Sequence, residues 1–341
     1  MGKKTIFWSV LLLLVPVTLS SGSAKNHKCI PTGYTNICIL EYVYYNRSVT
    51  TQHIFPQGYQ HVCIGSSVWR NGIESVIPSF DAKMYAEMGR PQALELMNVL
   101  MTDLEIPRKL SFGNFGDNKL KYFAVEHDDS MEPMLSYLDL SRNSLAKLTN
   151  ITTLVKLEAL YLYNNRLDSL EPDVLRKLTK LKILDLNYNN IVQLCGDCLP
   201  QSLTHLRLYY NDLKKLNYSD LSLPSLEILN VERNKLASFD ASALVLAMPK
   251  LTHISLSGND LGKEVLLKAF EVFDRHNISH IVDGDEVSCY YGDELVEGVC
   301  VNRHVMSGSG WVRGTLLTIL TLLIGFIFLL VVRWVFIAMN K

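Results

Sequence analysis

The stretch LSYLDLSRNSL at residues 135–145 decides the fold of this 341-residue chain. Its leucines are Leu135, Leu138, Leu140 and Leu145, and Asn143 stands between the last two. The same spacing, with Ile or Val allowed for Leu, recurs in five stretches that begin at Leu157, Leu181, Leu203, Leu226 and Leu251. Successive stretches begin 22 to 25 residues apart. Copies in phase over this distance indicate one structural unit that repeats along the chain.

Each copy predicts one short strand followed by a return segment. A single copy cannot bury its own leucines, so neighbouring copies must stack their strands into a parallel sheet over one continuous core. The repeated Asn is expected at the turn after the strand, where its amide can bond main-chain groups that the strand leaves unsatisfied. The predicted fold class is therefore an α/β repeat: a leucine-rich-repeat solenoid with a curved parallel sheet and disulfide caps, plus one C-terminal transmembrane helix.

The pattern weakens outside residues 135–261, and this sets the predicted domain limits. Leu94, Leu96, Val99 and Met101 fit a copy that lacks the Asn, and residues 120–128 fit another with Asp in its place. We therefore expect leucine-rich repeats over residues 91–261, with the regular copies at 135–261. Residues 25–90 are predicted as an N-terminal Cys-containing cap. Residues 262–303 are predicted as a C-terminal cap that includes a helix near 264–274.

Two apolar segments at the chain ends predict the compartment. Residues 1–24 have the basic start, apolar run and small residues of a secretory signal peptide, with an uncleaved anchor helix as the alternative. Residues 314–332 carry no charge and have the length of a transmembrane helix. This transmembrane helix would follow a juxtamembrane tether at 304–313 and precede a short cytoplasmic tail at 333–341. We expect a single-pass protein of the cell membrane with an extracellular N terminus; a GPI anchor is the alternative.

Predicted export permits disulfides, and the chain has seven cysteines. Proximity in the sequence suggests the pairs Cys29–Cys38, Cys195–Cys198 and Cys289–Cys300, although the sequence alone does not fix the connectivity. Cys63 is then unpaired as a buried thiol or intermolecular in its bonding. The sequence also holds four acceptor motifs for N-glycosylation, at Asn46, Asn150, Asn217 and Asn277.

The residues between the repeated leucines predict a binding surface. Side chains alternate along a strand, so the non-leucine positions face the concave side of the solenoid. Tyr is concentrated there in the middle copies, and Tyr and Arg are enriched at protein–protein hot spots. Tolerance of tyrosine on any solvated strand is the alternative explanation. The candidate partner-binding residues are Tyr137, Asp139, Tyr161, Tyr163, Asp185, Tyr188, Arg207, Tyr209, Tyr210 and Arg233.

Charge and motif content argue against other classes of function. The 33 Lys and Arg nearly balance the 34 Asp and Glu, so the chain has no general attraction to nucleic acid. The sequence has no nucleophile-elbow, zinc-protease, phosphate-loop or dinucleotide motif. Cys195 and Cys198 have the spacing of a zinc half-site, but no second pair of ligands is nearby. We therefore expect no enzymatic activity, no metal, no cofactor and no nucleic-acid partner.

The chain resembles the leucine-rich immune proteins of mosquitoes. The resemblance rests on copies such as Leu138-Asp-Leu140-Ser-Arg-Asn143, on the Cys-x-x-Cys of Cys195 and Cys198 inside a repeat, and on the ending that leads from Val282 to Cys289. No coiled-coil heptads follow Cys300, and an apolar segment stands in their place, so the chain is most similar to the membrane-bound subclass. The resemblance implies innate immunity and, as partners, complement-like thioester proteins or another leucine-rich-repeat protein.

These observations predict a membrane-tethered extracellular recognition protein. It would bind a protein partner or a microbial surface through its concave face, in innate immunity. The alternative is a cell-surface adhesion or developmental receptor component on the same scaffold. The predicted tail is too short for a signalling domain, so any signal would have to pass through a co-receptor.

Overall fold

The computed structural model describes residues 24–31, 33–46, 51–65, 75–127, 130–171, 173–195, 198–218, 220–280, 289 and 293–302. The predicted tether, transmembrane helix and tail, and all of the predicted signal peptide except Ala24, lie outside these residues. Within the described part of the chain, no helix combines the length and the apolar character needed to cross a bilayer.

Short strands dominate the described structure. The strands are β1 (Lys25–Asn26), β2 (Ile37–Leu40), β3 (His53–Ile54), β4 (His61–Gly65), β5 (Ser79–Phe80), β6 (Ala93–Met97), β7 (Asp103–Ile106), β8 (Phe112–Asn114), β9 (Ala124–Val125), β10 (Tyr137–Asp139), β11 (Ala159–Tyr161), β12 (Ile183–Asp185), β13 (His205–Arg207), β14 (Ile228–Asn230), β15 (His253–Ser255), β16 (Asp293–Val296) and β17 (Val299–Asn302). The helices are α1 (Ala82–Glu87), α2 (Ala241–Ala247) and α3 (Lys263–Arg275), with a 3-10 helix at Ile151–Thr153.

One parallel sheet organises the chain, as the repeat predicts. Its ten strands lie side by side in the order β2, β4, β6, β8, β10, β11, β12, β13, β14, β15. The central residue of each regular strand pairs with the central residue of the next, from Leu138 through to Ile254. These central side chains are at most 2% exposed, and each therefore contributes about 1.5–3 kcal/mol by its removal from water.

The repeated Asn residues form a ladder along the turns that follow the strands. Asn189 shows the pattern: its Oδ1 accepts from the Leu167 N–H at 3.0 Å, and its Nδ2 donates to the carbonyls of Leu162 at 2.9 Å and Leu186 at 3.1 Å. Each Asn thus joins its own turn to the preceding repeat, which confirms the predicted role of the amide. The ladder consists of Asn118, Asn143, Asn165, Asn189, Asn211, Asn234 and Asn259.

The copy that precedes Leu135 has a different register from the predicted one. It starts at Leu110, has Gly113 in the central leucine position and ends with Asn118 and Leu120. The Phe115 ring fills the space of the missing leucine, since a Cβ on Gly113 would lie 2.7 Å from it. The predicted copy over residues 120–128 is therefore wrong: β9 belongs to a separate three-stranded parallel sheet with β5 and β7.

The sheet also extends into residues 25–90, the predicted N-terminal cap, because β2 and β4 are two of its strands. At the other end, α3 spans the region where the sequence predicts a helix. The β16–β17 hairpin lies against the last repeat, where Val301 bridges to Asn259 and the Cys300 N–H donates to Ser257 Oγ at 3.3 Å. Ser279 forms a bridge with His253 in β15.

Candidate functional site

The sheet has one face that points away from the leucine core, and we call it the open sheet face. On β10 the outward residues are Tyr137 and Asp139, which flank the buried Leu138. The register brings Asp139 beside Tyr161, Tyr161 beside Asp185, and Asp185 beside Arg207. The strand residues predicted as candidate partner-binding positions therefore share one face.

Four tyrosines form a cluster just beyond the ends of β11, β12 and β13. Tyr188 is at its centre, with ring centroids 5.2 Å from Tyr163, 5.2 Å from Tyr209 and 4.9 Å from Tyr210. Tyr188 is 38% exposed and Tyr210 is 53% exposed. We call Tyr163, Tyr188, Tyr209 and Tyr210 the tyrosine cluster. It presents contiguous aromatic surface with hydroxyl groups at its rim.

Two arginines border the tyrosine cluster on opposite sides. The Arg142 guanidinium lies 5.5 Å from the Tyr163 ring centroid, and that of Arg233 lies 5.6 Å from the Tyr209 centroid. Both distances fall in the range of cation–π attraction. Arg142 also approaches Asp117 at 3.6 Å. The sequence reasoning named Arg233 and missed Arg142, although Arg142 occupies the same place in its repeat.

The residue immediately before each ladder Asn adopts a left-handed backbone conformation. The φ angles are 53° at Tyr188, 57° at Tyr210 and 50° at Arg233, and Gly258 takes the same place in the last repeat with φ of 70°. Glycine adopts this conformation without strain, whereas a large L residue is strained by about 1–2 kcal/mol. Large side chains thus occupy positions where the backbone would favour glycine. The position directly before the repeated Asn is the sequence signal that could have identified Arg142.

A second aromatic row crosses the face toward the N terminus. Phe112 stacks on Tyr137 with centroids 4.2 Å apart, and Tyr137 lies 5.3 Å from Tyr161. The ring centroids of His61 and Phe112 are 6.1 Å apart. Sequence reasoning missed Phe112 because its strand lacks the central leucine. The pair Phe115 and Asn118, spaced like Leu140 and Asn143, is the signal that places it.

Acidic groups on the open sheet face have altered proton affinities. Burial raises the pKa of Asp139, and the carboxyls of Asp185 and Asp117 raise it further, against hydrogen bonds from Ser141 that lower it. Burial also raises the pKa of Tyr137 to about 12, with Asp139 as the next cause. The Arg207 Nη1 lies 3.5 Å from Asp185 Oδ2. The charges of Arg207 and Asp185 therefore offset each other on this face.

The cysteines and the glycosylation acceptors occupy defined places. The structure pairs Cys29 with Cys38, Cys195 with Cys198, and Cys289 with Cys300, with Cα–Cα distances of 5.0, 5.4 and 5.4 Å. Cys63 is a free thiol on β4 and is half-buried. It lies with His61 and Glu95 in a group whose ligand atoms are within 4.8 Å of one another. The four acceptor residues, Asn46, Asn150, Asn217 and Asn277, are exposed.

Comparison with known proteins agrees with this architecture. Two family models described as leucine rich repeat match residues 155–213 and residues 247–264. Lumican from Homo sapiens is 30% identical over 162 residues, which are 46% of this chain and 48% of lumican. Toll-like receptor 7 from Mus musculus is 32% identical over 152 residues, which are 40% of this chain and 14% of the receptor.

Other matches extend the same picture. A probable U2 small nuclear ribonucleoprotein A' from Caenorhabditis elegans is 33% identical over 126 residues, 35% of this chain and 49% of that protein. The crystal structure of a TLR13–ssRNA13 complex superposes with a TM-score of 0.50 at 23% identity, covering 60% of this chain and 29% of that one. This likeness concerns the fold alone. The chain spans about half the length, or less, of the curated relatives it matches.

The in-register strands, the Asn ladder and the family models define a parallel-strand repeat solenoid. The repeats of this chain are leucine-rich repeats, as the family models and the similarity to lumican and Toll-like receptor 7 support.

Proposed function

We propose that this chain is an extracellular recognition protein, tethered to the cell membrane, that binds a protein partner or a microbial surface through the open sheet face. The observation that carries the proposal is the tyrosine cluster with its bordering arginines. Tyr188 and Tyr210 have large exposed rings although their backbone is left-handed. Gly258 occupies the equivalent position in the last repeat, so the turn can form with glycine there. A cost in backbone strain that leaves large aromatic area exposed is expected where side chains serve contact with a partner.

The chemistry of the cluster favours a protein as partner. Tyrosine offers a large rigid area with a polar end, and arginine adds charged hydrogen bonds, so both concentrate binding energy at interfaces. Complement-like thioester proteins and other leucine-rich-repeat proteins are the protein candidates that the mosquito resemblance suggests. Similarity to lumican and Toll-like receptor 7 supports an extracellular role in general terms.

We do not expect nucleic acid as the ligand, although the superposed TLR13 structure holds a single-stranded RNA. A surface that follows a phosphate backbone needs an excess of positive charge. Here each arginine has a carboxyl beside it: Asp117 beside Arg142, Asp185 beside Arg207 and Glu232 beside Arg233. Asp139 adds a further acidic group to the same face. The face is rich in tyrosine but has no cationic excess among these groups.

The test uses the full chain displayed on cells and compares partner capture between variants. Alanine at Tyr161, Tyr163, Arg207 and Tyr209 together should abolish capture from extracellular fluid while the chain stays folded. The matched control is Tyr122→Ala, because Tyr122 is 63% exposed but lies just before β9, a strand of the separate three-stranded sheet. Capture that survives the fourfold change would refute the proposal, and so would equal loss in the control.

The membrane tether and the role in immunity need separate tests. Surface biotinylation of intact cells should label the chain, and phospholipase that cleaves GPI anchors should not release it. Release would support the GPI alternative. Expression that rises on infection supports immunity, whereas constant expression at cell junctions would support the adhesion alternative.

A further inference from the structure

We propose that His61, Cys63 and Glu95 form a binding site for a zinc-class divalent transition-metal ion on the open sheet face. The site is independent of the tyrosine cluster, which lies on repeats nearer the C terminus. The three side chains offer imidazole, thiolate and carboxylate, which are the ligand types that Zn²⁺ uses in proteins.

The strands bring these three side chains together. His61 and Cys63 are two residues apart on β4, so both side chains point to the open sheet face, while Val62 between them is buried. Glu95 is directly opposite Cys63 in the paired strand β6. A site on two adjacent hydrogen-bonded strands holds its ligands in fixed positions better than one on a loop.

The distances between the ligand atoms fit a shared tetrahedral ion. Cys63 Sγ lies 3.4 Å from His61 Nε2 and 3.8 Å from Glu95 Oε1, and His61 Nε2 lies 2.7 Å from Glu95 Oε1. Ideal Zn²⁺ bond lengths and tetrahedral angles give about 3.5 Å for S···N and S···O and about 3.3 Å for N···O. The main adjustment is that the His61–Glu95 hydrogen bond opens by about 0.6 Å as the ion takes its place.

The surroundings support the carboxylate and leave an access path. Asn114 Nδ2 lies 3.5 Å from Glu95 Oε2, whereas His61 bonds the other oxygen, Oε1, so Asn114 helps to fix the carboxylate. The side chains of His61 and Glu95 are 27% and 28% exposed. Three protein ligands and an open side toward solvent leave the fourth coordination position to water or to a group from a bound molecule.

Binding replaces the thiol proton of Cys63 by the metal, and that proton passes to the solvent. No oxidant or reductant takes part. The soft thiolate and the imidazole favour Zn²⁺ over Mg²⁺ or Ca²⁺, which prefer sites made of oxygen ligands alone.

The test is a titration of the full chain with Co²⁺ alone, in detergent, without a histidine tag and with a reductant that does not bind metals. Co²⁺ bound to a thiolate gives a charge-transfer band in the near ultraviolet, and tetrahedral Co²⁺ gives intense visible bands. We expect one equivalent of Co²⁺ to produce both, and Zn²⁺ to displace it. Magnesium added in excess should leave both bands in place.

Variants make the test specific to these ligands. Cys63→Ser should remove the charge-transfer band, and His61→Ala and Glu95→Gln should each weaken affinity about tenfold or more. His205→Ala is the matched control, because His205 lies on the same face at β13, away from Cys63, and should change nothing. Circular dichroism checks that each variant is folded.

Several results would overturn the proposal. These are the absence of the charge-transfer band in the unmodified chain, its persistence in Cys63→Ser, and an equal loss in His205→Ala. Finding Cys63 in an intermolecular disulfide in the protein as isolated from cells would also overturn it, because the thiolate would then be missing.

Discussion

Replacement of Asn189 by alanine tests the ladder that holds the repeats together. The side chain makes four hydrogen bonds: it accepts from the Leu167 N–H and donates to the carbonyls of Leu162, Leu186 and Asn187 at 2.9, 3.1 and 3.2 Å. Asn189 is only 6% exposed, so water replaces these partners poorly. An unpaired buried polar group costs about 1–3 kcal/mol. The loss of the Leu167 partner and of the carbonyl partners together should therefore cost about 3–4 kcal/mol.

The Leu167 amide reports this effect directly. In hydrogen–deuterium exchange of the full chain, Asn189→Ala should speed exchange at Leu167 by about two to three orders of magnitude, since 1.4 kcal/mol corresponds to a factor of ten. Amides near Leu236, two repeats away, should change much less, because repeats couple mainly to their neighbours. Asn190→Ala is the control, since Asn190 is exposed. Equal exchange at Leu167 in both variants would refute the ladder as a source of stability.

Three further substitutions test the sheet face and its supports. Tyr210→Gly should change the free energy of unfolding by less than about 1 kcal/mol, because relief of the left-handed backbone strain offsets the lost ring contacts. The same substitution should weaken partner capture. A large loss of stability would show that the Tyr210 ring serves the fold. Asp139→Asn should stabilise the protein at neutral pH, because burial raises the pKa of Asp139 and disfavours its charged form. The gain in thermal midpoint should shrink in acid, below the ordinary pKa of Asp, where Asp139 is itself neutral. A gain that grows in acid would contradict the raised pKa of Asp139. Gly65→Ala should lower the free energy of unfolding by about 3 kcal/mol in chemical denaturation, since its Cβ would meet the Met97 carbonyl oxygen at 2.0 Å. Gly33→Ala is the control: a Cβ there has open space around it, so the change should cost only about 1 kcal/mol.

The regular repeats could be predicted because their period is written directly in the sequence. Every copy from Leu135 to Leu261 has apolar residues at the same spacing, and the same spacing sets which side chains are buried. The candidate residues on the strands followed from alternation alone. The copy at residues 110–120 could not be placed this way, because the pattern expects leucine at positions 113 and 115. Gly113 is smaller than leucine, and the larger Phe115 ring fills the space that it leaves.

The details of the surface depend on contacts between repeats. The contact of Arg142 with the Tyr163 ring joins two turns, and its geometry follows from the left-handed conformation before each ladder Asn. The group of His61, Cys63 and Glu95 depends on the register between β4 and β6, which the irregular N-terminal sequence does not reveal. The sequence prediction of no metal considered ligands that are close together in the chain, such as Cys195 and Cys198, whereas Glu95 lies 32 residues from Cys63.

Hydroxyl-radical footprinting of the tyrosines tests the central claim most directly. The full chain is oxidised on the cell surface before and after exposure to the fluid from which it captures its partner. We expect oxidation of Tyr163, Tyr188 and Tyr210 to fall on binding, while that of Tyr122 stays constant. Protection of Tyr122 with unchanged oxidation of the tyrosine cluster would contradict recognition through the open sheet face.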